Sequence, residues 1–216
     1  VVIHLAARVH IMNESGNEEE YEKINTIGVE RLAKEAAKRD IKRFIFLSSI
    51  KVNGEKNLID DCGIPIPFKE DDIVSPEGAY ASSKMGAETV IRNVCNSSNM
   101  NFVILRPVLI YGPSVKANFL SLLKIVNKSY PLPLASIKNR RSLIYVKNLA
   151  DILMKSIDVV KASNKIYLVS DVDISVPDLL RVVSKYLNKR LFLFPFPIGI
   201  LKLIGFLTGK KKVIDR

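Results

Sequence analysis

Cysteine is scarce in this chain of 216 residues: Cys62 and Cys95 are the two present, with no CxxC pair. A disulfide scaffold and a cysteine-rich zinc module are thereby excluded, and a reducing, cytoplasmic setting is expected. Histidine is equally rare. His4 sits inside an apolar run and His10 stands apart from any acidic cluster, so no metal centre is expected. No GxxGxxG turn occurs, and the only glycines before residue 48 are Gly16 and Gly28. Internal repeats and low-complexity tracts are lacking too. Residue 1 is Val, and no basic leader precedes the first apolar run. The chain therefore reads as a piece of a longer protein, with the Gly-rich part of its first domain upstream of Val1 and further substrate-binding sequence after Lys212.

What remains is the composition of a folding chain, 48% hydrophobic and 25% charged. The net charge of +11 favours an anionic partner: nucleic acid, an acidic membrane surface or a phosphate-bearing small molecule. The basic residues are scattered and show no interleaving with aromatics, which argues against nucleic acid. Leu191 to Gly209 approaches the roughly 20 residues that span a bilayer, yet Pro195, Pro197 and Lys202 interrupt it. A helix of a substrate domain is expected there rather than a transmembrane span. The following Lys210-Lys211-Lys212 leaves weak peripheral membrane contact open.

Val1 to Ala7 and Arg43 to Ser49 are short apolar runs with a strand's composition, and Phe102 to Leu105 is a third. Between the first two, Ile24, Ile27, Leu32 and Ala36 recur at helical spacing, which predicts a helix from about Glu18 to Arg39 with those residues on its apolar face. A Pro-containing loop from Val52 to Gly78 precedes a second helix that runs through Asn93. Strand, helix, strand repeated twice predicts an α/β fold with parallel strands and crossover helices. Further helices are predicted at about Ala117–Lys128, Leu149–Val160 and Val176–Leu187, with a strand at Lys165–Val169. The domain division expected is 1–113 for the sheet-bearing domain and 114–216 for a smaller α/β substrate domain, with about 141–170 returning to the first core.

Tyr80 and Lys84 are one helical turn apart, so an ammonium can lie beside a phenol and lower its proton affinity. In a chain this rich in lysine the spacing alone is weak evidence, and a solvated pair is the plain alternative. Its setting adds weight. Ser48 and Ser49 close an apolar strand, at the carboxyl edge where open parallel sheets bind ligands, and Arg106-Pro107 close the next. A hydroxyl there can donate to a substrate oxygen that gathers charge while the tyrosine moves the proton.

Six segments in order carry a resemblance: Ile3-His4-Leu5-Ala6-Ala7 with Asn25 and Gly28; Phe46-Leu47-Ser48-Ser49 with Val52-Asn53-Gly54; Tyr80-Ala81-Ser82-Ser83-Lys84 with Ala87-Glu88; Leu105-Arg106-Pro107 with Tyr111-Gly112-Pro113; Arg141 to Val146; and Leu149-Ala150-Asp151. The chain resembles the extended short-chain dehydrogenases/reductases of the nucleotide-sugar epimerase/dehydratase group. Within that group it is similar to UDP-glucose 4-epimerases and UDP-4-keto-6-deoxy-N-acetylhexosamine reductases of bacterial polysaccharide synthesis. The resemblance implies a Rossmann-like doubly wound sheet, NAD or NADP as cofactor, a UDP-linked sugar as substrate and a homodimer. It implies Tyr80 as acid/base, Lys84 as its activator and ribose partner, and Ser49 at the substrate C4 oxygen, with Ser48 as a neighbouring cofactor-side candidate. Ala6, Ala7 and Asn25 would line the dinucleotide, Pro107 and Val108 the nicotinamide, and Asn118 and Arg141 the substrate diphosphate. A non-catalytic dinucleotide-sensing module, or an inactive remnant of the enzyme, is the alternative expectation.

Overall fold

A computed structural model describes residues 1–9, 18–62, 65–115, 117–137, 139–197 and 199–200, with the side chains of 117 and 118 also outside the description. His10 and Lys210 to Lys212 thus lie outside the described residues, as do residues 198 and 201–209 of the Leu191–Gly209 segment. The chain divides into two compact units, Val1–Ile110 with Ile144–Ser170, and Tyr111–Leu143 with Asp171–Arg216.

The first unit is built on four parallel strands: β1 (Val2–His4), β2 (Arg43–Leu47), β3 (Asn101–Pro107) and β6 (Lys165–Val169), adjacent in that order. β2 and β3 are apolar on both faces because both faces are covered. Phe44, Phe46, Phe102 and Ile104 pack against α2 (Gly28–Lys38) and α3 (Gly78–Asn96) through Val29, Ala33, Ala36, Ala87 and Ile91. The alternate residues Ile45, Val103 and Leu105 pack against α5 (Val146–Asp158) through Leu149 and Leu153. Burying a side chain of this size contributes about 1.5–3 kcal/mol, and these layers fix the sheet between two helical faces.

Arg43 starts β2 and is buried. Its guanidinium donates to the carbonyls of Ser156, Ile157 and Val159 at 2.7, 2.9 and 3.0 Å, to Asn101 Oδ1 at 2.7 Å and to Ser163 Oγ at 2.6 Å. A cation at the carboxyl end of α5 satisfies carbonyls that the helix leaves open.

The helical stretch after β1 differs from its sequence pattern. It comprises α1 (Glu18–Tyr21), a π-helical segment (Glu22–Ile27) and α2. The buried line is Tyr21, Asn25, Val29, Ala33 and Ala36, whereas Ile24, Ile27 and Leu32 are exposed. The expected apolar face is therefore corrected in all but Ala36. Asn25 takes an inward place because its amide has partners there, and hydrophobic spacing cannot register a buried polar residue.

β4 (Leu109–Tyr111) follows β3 in the chain. The second unit contains α4 (Ala117–Asn127), strand β7 (Val172–Ser175) and α6 (Val176–Tyr186), together with residues 140–143 of β5 (Arg140–Tyr145). β5 and β7 pair antiparallel, Arg141 opposite Ile174 and Leu143 opposite Val172. Val126, Leu143, Leu179, Leu180 and Val183 form its core. Ser175 caps α6 by accepting from the Asp178 N–H at 3.2 Å.

Candidate active site

Parallel pairing brings the carboxyl ends of β1, β2 and β3 to one edge of the sheet, and three sequence segments follow them there: Ala6-Ala7, Ser48-Ser49 and Val108. Ala6 is exposed and Ala7 half-exposed, with small side chains that leave the rim open to close approach. Pro107 is the buried last residue of β3, opposite Val169, and Val108 donates its N–H to the Val169 carbonyl at 3.3 Å.

Ser48 and Ser49 point to different tasks. The Ser48 N–H extends the ladder to the Leu105 carbonyl at 2.7 Å, and its buried hydroxyl donates to Glu88. Ser49 Oγ accepts the Lys51 N–H at 3.3 Å, capping the 3-10 turn Ile50–Val52, and lies close enough to the Tyr80 phenol to act on its pKa. The hydroxyl and the phenol predicted from separate elements therefore meet.

Tyr80 and Lys84 lie on α3 at its first turns. Burial raises the Tyr80 pKa above that of a free phenol, while the Ser49 hydroxyl works in the opposite direction and Tyr21 adds to the rise. Tyr21 lies edge-on to Tyr80 with ring centroids 6.5 Å apart. Desolvation outweighs the other influences on the phenol. Lys84 Nζ donates to the Leu47 carbonyl at 2.8 Å and lies 4.5 Å from the centre of the Phe46 ring. Its side chain is buried, and burial lowers its pKa to about 8 while Glu88 works to raise it. The amine is therefore poised to change charge not far above neutral pH.

His4 stacks on Phe46, centroids 5.9 Å apart. Burial and the Lys84 ammonium hold its pKa below that of a free imidazole. No cluster of three or more His, Cys, Asp or Glu occurs among the described residues.

Asn25 is buried, and its amide groups are taken up by the protein. Oδ1 accepts the Arg8 N–H at 2.8 Å, while Nδ2 donates to the Arg8 carbonyl and to Ser83 Oγ, each at 3.0 Å. Ser83 Oγ donates in turn to the Tyr80 carbonyl at 2.9 Å. Asn25 thereby fastens the segment after β1 to the helix that carries Tyr80. Of the two residues expected at the substrate diphosphate, Arg141 is half-buried on β5 in the second unit, and the Asn118 side chain lies outside the described residues.

One group beneath the rim carried no role in the sequence reading. Arg106 Nε and Nη2 donate to the two Glu88 carboxylate oxygens at 3.0 and 2.6 Å, and Arg106 Nη1 donates to Asn53 Oδ1 at 3.0 Å. The signal was present in the spacing, since Glu88 continues the four-residue ladder of Tyr80 and Lys84.

A phenol, an amine and a hydroxyl stand at the carboxyl rim of a parallel α/β sheet, the ligand edge of a Rossmann-like fold, and that fold defines the class. The chain belongs to the NAD dependent epimerase/dehydratase family, whose sequence profile matches residues 1–170. It is 44% identical to a UDP-glucose 4-epimerase of Vibrio cholerae, over all of this chain and 66% of that protein. It is 27% identical to an N-acetyl-alpha-D-glucosaminyl-diphospho-ditrans,octacis-undecaprenol 4-epimerase of Escherichia coli O157:H7, over 90% of this chain and 60% of that one. The chain thus spans less than two thirds of the length of these curated relatives. Its fold matches a solved structure of UDP-glucuronic acid 4-epimerase from Bacillus cereus in complex with NAD, with a TM-score of 0.72 and 20% identity over 90% of this chain and 62% of that one.

The family is NAD dependent by description, and the donor set here fits the nicotinamide-ribose end of such a cofactor. Tyr80 and Lys84 offer a phenol and an amine suited to ribose hydroxyls, and the small residues Ala6 and Ala7 flank the same edge. The described residues contain no Gly-rich turn for the pyrophosphate, so the fit concerns that end alone.

Proposed function

We propose that the protein containing this chain acts at C4 of a UDP-linked sugar, as an epimerase or a 4-keto reductase, with Tyr80 as the acid/base. The observation that carries the reading is the Ser49 hydroxyl on the Tyr80 phenol, with Lys84 one turn along the same helix. The Vibrio relative's name supports the substrate class. NAD, when bound, would supply a two-electron acceptor for the C4–H bond and positive charge to the site. Tyr80 takes the proton of the C4 hydroxyl as that carbon becomes a ketone, and returns it to the same oxygen when the carbon is reduced. Ser49 hydrogen-bonds this oxygen and holds it against the phenol. Lys84 contributes positive charge that favours the phenolate and donates to a ribose hydroxyl.

Ala6, Ala7, Asn25, Ser48, Pro107 and Val108 form the cofactor side of this proposal, with Asn25 and Ser48 acting through the backbone and through Glu88. The second unit is assigned to substrate, Asn118 and Arg141 holding the diphosphate. A guanidinium suits paired phosphate oxygens. The two cysteines, both free, support action in a reducing cytoplasm, and no helix among the described residues is long and apolar enough to cross a membrane.

Incubating the full protein with a panel of UDP-sugars and UDP-4-keto sugars, with and without NADPH, and analysing the products tests the reading. Interconversion of C4 epimers without added NADPH identifies an epimerase. Consumption of the keto sugar only with NADPH identifies a reductase. Products altered at another carbon, or turnover of none of the panel, would contradict it.

A further inference from the structure

Beneath the rim lies a buried charged cluster that touches no surface. The Glu88 and Arg106 side chains are 5% and 4% exposed and form a two-pronged ion pair. Glu88 Oε1 also accepts the Ser48 hydroxyl, and Arg106 Nη1 reaches Asn53, whose amide donates to the Lys69 carbonyl at 2.9 Å. Burying such a pair is a weak source of stability, because desolvation offsets the attraction. Its location supplies a stronger reason. Ser48 is bonded to Ser49 in sequence, Asn53 ends the turn that Ser49 begins, Arg106 precedes Pro107, and Glu88 is one turn beyond Lys84. One carboxylate thus fixes α3 against the ends of β2 and β3, and with them the meeting of Tyr80 and Ser49.

We propose that Glu88 is a positioning residue for proton transfer, holding α3 to the sheet rim through Arg106 and Ser48 and setting the electric field at Lys84. This rests on the reading of Tyr80, Ser49 and Lys84 given above. Lys84 is faced by His4 from β1, by the Phe46 ring and Leu47 carbonyl from β2, and by Glu88 from its own helix. Arg106 of β3 is bound to Glu88. Glu88 is the one carboxylate in this set. Removing its charge leaves Lys84 among neutral groups and cations, so the amine titrates at lower pH.

The test is an NMR titration of the Lys84 ε-methylene in the full protein with NAD bound, comparing wild type with Glu88→Gln, together with kcat as a function of pH. The midpoint of Lys84 is expected to fall by about one pH unit, the matching limb of the kcat profile to move with it, and kcat at neutral pH to drop by about 10²-fold. Glu88→Gln leaves a buried guanidinium short of a partner, so a Glu88→Gln/Arg106→Met variant guards against failure to fold, and its Lys84 midpoint falls in the same direction. An unchanged midpoint in either folded variant overturns the proposal, whatever the rate. A shifted midpoint in a protein whose Tyr80→Phe variant keeps full turnover would leave the clamp standing and remove the proton-transfer reading.

Discussion

Tyr80 and Lys84 are held in opposition by burial. Desolvation keeps the phenol protonated and lowers the amine to a pKa of about 8, so both groups favour their neutral forms relative to water. Carrying a charged amine in that site opposes folding. Between pH 8 and pH 10.5 the unfolded chain binds more protons at Lys84 than the folded chain, so stability rises with pH across that window. Relative to a Lys84→Met variant, which lacks this group, the wild type gains about 3 kcal/mol over the window and shows a flat difference at neutral pH. Urea unfolding of both proteins at several pH values measures this. Parallel stability curves would show that the amine is solvated and not poised.

Helix packing decides where that pair sits. Gly86 faces the π-helical segment so closely that an added Cβ would lie 2.9 Å from Thr26 Oγ1 and 3.0 Å from its methyl. Thr26 Oγ1 is itself held by donating to the Ser83 carbonyl at 3.0 Å. Gly86→Ala is expected to cost about 1–3 kcal/mol by overpacking, and Gly86→Ala/Thr26→Ala to cost less than the sum of its singles. Additive costs from thermal melts would contradict this contact. At this scale the sequence revealed the parallel sheet, because Phe44-Ile45-Phe46 and Val103-Ile104-Leu105 are apolar on both faces, a pattern that only covered strands need. The helix after β1 was misread because Ile24 and Ile27 mimic a buried stripe while Asn25 holds the inward place through bonds to Arg8. The short strands β5 and β7 were missed. Arg140-Arg141-Ser142 and Val172-Asp173-Ile174 are too polar to announce themselves and are strands through their pairing. The Tyr80, Lys84 and Ser49 assignments came from a motif resemblance, but the Arg106–Glu88 pair needed the fold. Its partners are 18 residues apart in sequence and meet only when α3 packs on β3.

For the whole molecule, the excess of 11 positive charges is a general attraction for anions, and it suits the diphosphate-bearing substrate proposed above. The proposed function gives one chemical task to side chains from separate elements, a hydroxyl after β2 and a phenol on α3. The most direct measurement is the turnover of Tyr80→Phe in the full NAD-bound protein, using whichever UDP-sugar the wild type converts. The phenol's proton transfer predicts a loss of about 10²–10⁴-fold in kcat with NAD still bound. Turnover within a few-fold of wild type would contradict the account.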